Sequence, residues 1–109
     1  MTYENQYSSG VVLASKGERT LTFFSADHLT TTNLYLRVFD VADAGDVDLE
    51  TKDNQIGAFG IPRSDGSSIA GRDLSTQISF SRGLAYAITT TPDGDTAPAS
   101  AVNLVLNYQ

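Results

Sequence analysis

The sequence predicts an all-β fold, an antiparallel β-sandwich or jelly-roll-like barrel of about seven short strands. Three observations predict it. Apolar and polar residues alternate with period two along most of the chain. No segment carries a convincing helical repeat, so strand–helix alternation and a parallel sheet are excluded. Turn signals built from Gly, Pro and Asp separate the alternating runs.

The first strand is expected at residues 10–15, closed by a turn at Lys16-Gly17-Glu18-Arg19. Residues 20–25 follow, rich in β-branched and aromatic side chains. Residues 27–32 read as a short connection or a single helical turn. The clearest strand runs over 33–41, with Leu34, Leu36 and Val38 pointing one way and Tyr35, Arg37 and Phe39 the other. Residues 42–54 form a polar, acidic loop. Strand character resumes at 55–61, where Pro62 marks an edge or a strand end. Asp65-Gly66 within 64–68 is turn chemistry. Strands over 77–81 and 84–89 are separated by Arg82-Gly83, and Pro92-Asp93-Gly94-Asp95 is a further turn. The last strand, 101–108, carries Val102, Leu104, Leu106 and Tyr108 on one face, a stripe that suits a central strand.

A chain of 109 residues fits one domain. With 40 % hydrophobic and 18 % charged residues its core is expected to be thin, as two packed sheets would make it. Residues 1–9 differ from the rest, being polar and without evident alternation. They are expected to form a flexible amino-terminal arm ahead of a single domain over 10–109. The arm carries Tyr3 and Tyr7, and tyrosine offers large contact area at low entropic cost. Those two are the candidate partner-binding residues; an ordinary loose terminus is the alternative.

A formal charge of −6 and scattered cations argue against nucleic acid and anionic membranes as partners, because both draw affinity from clustered Lys and Arg. The chain has no cysteine, so disulfides and thiolate metal sites are out. Its first residues lack the basic and apolar regions of a signal peptide, and no apolar run approaches the ~20 residues of a membrane helix. Synthesis in a cytoplasm is expected.

Catalysis finds little support. His28 is the only histidine, so any Ser-His-Asp arrangement must use it; the expected reading is a surface or turn histidine. Neither catalytic residues nor a cofactor or metal is assigned. Asp40, Asp43, Asp46, Asp48, Glu50 and Asp53 raise calcium as a question, yet their spacing does not match an EF-hand. A solvated loop that keeps a sheet edge soluble is the favoured reading.

From residue 33 onward the order of segments resembles a group of small tailed-bacteriophage virion proteins. The segments are Asn33-Leu-Tyr-Leu-Arg-Val-Phe-Asp40, Phe59-Gly-Ile-Pro62, Ile78-Ser-Phe-Ser81, Gly83-Leu-Ala-Tyr-Ala-Ile-Thr-Thr90, Asp93-Gly-Asp95 and Val102-Asn-Leu-Val-Leu-Asn-Tyr108. Gly83 to Thr90 with the acidic turn after it is the most specific piece. Here that turn is prolonged by Thr91-Pro92 and followed by Ala97-Pro98, and the 42–54 loop is richer in acid than the pattern. The resemblance implies a structural role in a virion and assigns no functional residue.

The leading expectation is a capsid decoration (cement) protein bound to the outer shell. Its partners would be the major capsid protein or other virion proteins, with a homo-oligomer in the assembly. A head-fibre or tail component is the alternative within the virion. A carbohydrate-binding or adhesive module, using the acidic loop and exposed tyrosines, is the alternative outside it.

Overall fold

The computed structural model describes residues 1–63 and 69–109; the expected turn at 64–68 lies outside them. Eight strands follow one another: β1 Thr2–Tyr7, β2 Val12–Lys16, β3 Arg19–Asp27, β4 Leu34–Asp40, β5 Gln55–Ile61, β6 Ile69–Phe80, β7 Gly83–Thr89 and β8 Val102–Tyr108. They form two four-stranded sheets, ordered β1-β8-β3-β6 and β2-β7-β4-β5. All pairings are antiparallel. Apart from β4 to β5, each connection crosses from one sheet to the other, which is the double Greek key of an eight-stranded jelly roll. Both forms named from sequence, sandwich and jelly roll, thus describe the same object.

The inner faces meet in one core. Leu34, Leu36 and Val38 of β4 and Leu84, Tyr86 and Ile88 of β7 face Val102, Leu104 and Leu106 of β8. Strand β8 lies between β1 and β3, the central place its stripe predicts. Strand β3 breaks simple alternation. Leu21 and Phe24 both face inward although they are three apart, because the register slips between Leu21 and Phe23 on both neighbouring strands. That bulge inverts the side-chain parity of the strand. Strand β5 is an edge and ends at Ile61, immediately before Pro62.

Residues 1–9 are not a flexible arm. Residues 2–7 pair with β8 from Thr2↔Asn107 to Tyr7↔Val102, and the Met1 ammonium donates to Tyr108 O at 2.8 Å. The domain therefore takes in residues 2–7 and does not start at residue 10. The strand alternates, with Tyr3, Asn5 and Tyr7 turned inward and Thr2, Glu4 and Gln6 exposed. A polar Asn in the middle inward position hides that alternation from a hydrophobicity pattern.

The 42–54 segment also differs from the solvated loop expected of it. Its charges face water, but Val47 and Leu49 pack with Phe39, Val41, Ala85 and Ala87 on the outer face of the second sheet. Val11 and Leu13 extend the same cluster. This cover explains why β4 and β7 are buried on both faces.

Candidate functional site

Tyr3 and Tyr7, the candidate anchors for a partner, are engaged inside the protein. Tyr7 is 1 % exposed, so it is unavailable to any partner, and its hydroxyl donates to Gly10 O at 2.6 Å. Tyr3 is half-buried, and its hydroxyl lies 3.0 Å from that of Tyr86 on the opposite sheet. The Asn5 amide donates to the same Tyr86 oxygen at 2.7 Å. Burial pushes the Tyr86 phenol well above its ordinary value, and the Tyr3 hydrogen bond adds to it. The tyrosines thus form a polar seam between sheets.

A second polar knot centres on Arg37, whose side chain is 0 % exposed. A guanidinium has donors to spare and must find acceptors when buried. Nε donates to Gln55 Oε1 at 2.9 Å, one terminal nitrogen to Gly94 O at 2.6 Å and the other to Leu49 O. Its charge also sits 5.7 Å from the centre of the Phe39 ring. Burial lowers the Arg37 pKa, and the nearby Asp93 carboxylate acts in the opposite sense. The loop after β4 and the loop after β7 come from opposite ends of the sandwich. They meet over the second sheet at this one side chain.

Asp40 closes the β4 end. Its carboxylate accepts from the backbone N–H of Arg82 at 2.8 Å, Ser81 at 3.1 Å and Gly83 at 3.3 Å, and from Ser81 Oγ at 2.9 Å. Partial burial would raise its pKa, but the Arg82, Ser81 and Gly83 donors outweigh it and hold the carboxyl below its ordinary value. Beside it lies an open depression of about 440 Å³ lined by Glu18, Arg19, Asp40, Ser81 and Gln109. That volume would suit a small ligand, yet two of its charged groups, Asp40 and Arg19, are already committed. Asp40 holds the turn, and Arg19 donates to Ser15 Oγ and Glu18 O.

His28 is not at the surface. It is 3 % exposed, and its ring bridges Pro62 O and Thr30. In the acidic loop, Asp48 accepts from the backbone N–H of Glu50 at 2.9 Å, the geometry of a local turn. Among the described residues, no three His, Cys, Asp or Glu side chains converge as a metal site requires.

Sequence reasoning missed the engagement of Arg37, Asp40 and His28. Only Arg37 carried a signal, as a charge inside the most regular apolar strand. Comparison with protein-family models, with curated proteins and with solved structures gave no match.

Proposed function

We propose that the chain is a structural virion protein of a tailed bacteriophage, a capsid decoration (cement) protein seated on the outer shell. The major capsid protein or another virion protein is its partner, and it acts by contact and not by catalysis. The segment order from Asn33 to Tyr108 motivates the reading. The geometric observation that carries it is the Arg37 knot. Loops from both ends of the sandwich are fastened over one sheet, so the body offers preset surfaces and loses little freedom on docking.

Jelly rolls serve in viral capsid and lectin domains, an analogy of fold that does not by itself assign a role. The net charge of −6 favours solubility before assembly. Repeated attachment at symmetry-related positions, as a homo-oligomer in the assembly, would turn modest contacts into firm binding.

The test is co-sedimentation of purified protein with capsids that lack it. Saturable binding in a ratio set by shell symmetry supports the reading. No binding over a wide concentration range overturns it, and binding confined to tails or fibres moves the protein to an appendage.

A further inference from the structure

In the connection between β3 and β4, Leu29 is 76 % exposed while its neighbours His28 and Thr30 are 3 % and 5 % exposed. The two buried residues hold the segment down and leave the leucine outside. His28 Nε2 lies 2.8 Å from Pro62 O, just past the end of β5. A carbonyl oxygen only accepts, so Nε2 carries a hydrogen. On the other side of the ring, the Thr30 backbone N–H points at Nδ1 from 3.2 Å, and Thr30 Oγ1 lies 2.7 Å from it. A backbone N–H only donates, so Nδ1 is bare. The geometry fixes a neutral ring with its hydrogen on Nε2.

We infer that His28 is an acid-sensitive latch: a proton added at Nδ1 expels the Thr30 N–H and loosens the 28–33 connection around Leu29, while the ring stays tied to the end of β5 through Nε2–H and Pro62 O. The Thr30 hydroxyl can adapt to the added proton. It lies 3.3 Å from Thr32 O, so it can donate there while accepting from the new Nδ1–H. The Thr30 backbone N–H has no such freedom and is left buried without an acceptor, which costs more than the bond itself is worth. Among the described residues, the charged groups flanking the latch are Asp27 at the end of β3 and Arg63 after Pro62. Asp27 lines the same depression as His28, and the Arg63 backbone N–H is held by Asn33 Oδ1 at 3.0 Å. Strand β1, the segment leading into β8 and the start of β8 contribute only uncharged Gln6, Ser100, Ala101 and Asn103 there. The latch does not depend on the virion reading.

The experiment is NMR of the full chain from pH 8 to pH 4. At pH 8 the ring nitrogens should show the Nε2–H tautomer. As the ring takes up its proton, the Thr30 amide should shift along the same curve. Its hydrogen-exchange protection should fall roughly tenfold relative to core amides such as Leu21, the loss of about one hydrogen bond. In His28→Gln, whose side chain offers an acceptor and a donor but does not titrate, Thr30 protection should stay constant. An Nδ1–H tautomer at pH 8, or a Thr30 amide indifferent to the ring's titration, overturns the inference. The wild-type titration decides this even if the glutamine variant fails to fold.

Discussion

The hydroxyl of Tyr86 on β7 lies 3.0 Å from the hydroxyl of Tyr3 on β1, a hydrogen bond that joins the amino-terminal strand to the opposite sheet. Asn5 donates to the same oxygen, and Tyr7 fills the core one step further along the strand. The amino terminus is therefore a structural member.

Deleting residues 1–9 should abolish cooperative folding. It strips β8 of a neighbour and removes Tyr7, whose burial is worth roughly 1.5 to 3 kcal/mol. Tyr86→Phe should cost about 1 to 2 kcal/mol, since it removes the oxygen that accepts from Asn5. Thermal and urea unfolding followed by circular dichroism checks both. A truncated chain that melts like the full one would mean that β1 contributes nothing.

Arg37→Met keeps the apolar stem but leaves Gln55 Oε1, Gly94 O and Leu49 O without their donor. A loss of about 2 to 3 kcal/mol is expected. Limited proteolysis should then cut fastest within 42–54 and 90–101. Arg37→Lys should rescue little, because an ammonium cannot reproduce the three-way fork.

Asp40 sets an acid limit on stability. Its carboxyl pKa is lower in the folded protein than the ordinary 3.8, so the unfolded chain binds the proton more readily. The stabilisation is fully present above that ordinary value and disappears as pH falls through the folded one. Urea midpoints of the wild type and Asp40→Asn should differ by the equivalent of about 1 kcal/mol at pH 7 and converge in acid. A constant gap across the range would contradict the assignment.

Gly83 starts β7 where no side chain fits. A Cβ there would lie 2.5 Å from Val41 O and 3.1 Å from Ser15 O, both rigid backbone atoms. Gly83→Ala should destabilise by about 1 to 3 kcal/mol, measured by urea unfolding.

The fold was legible wherever a strand carries an unbroken apolar stripe at every second residue. The Leu34-Leu36-Val38 and Val102-Leu104-Leu106 stripes mark β4 and β8 without ambiguity. Strand β1 was not legible, because one of its inward residues is Asn5, which hydrogen-bonds where a hydrophobe would pack. The outer role of the acidic loop was concealed in the same way, by two apolar residues, Val47 and Leu49, set among carboxylates. The sequence suggested Tyr3 and Tyr7 as contact residues because interface chemistry and core chemistry use the same side chain. The Pro62 partner of His28 lies 34 residues away and the partners of Asp40 lie 41 residues or more away in the chain, beyond the reach of any local pattern.

The most direct measurement is a cryo-EM reconstruction, with protein mass spectrometry, of purified virus particles that encode this chain. The account predicts copies at symmetry-related positions on the outer shell, each folded as a jelly roll with β1 in place. Particles without it, alongside free protein in the lysate, would contradict the decoration role and make glycan binding the next activity to test.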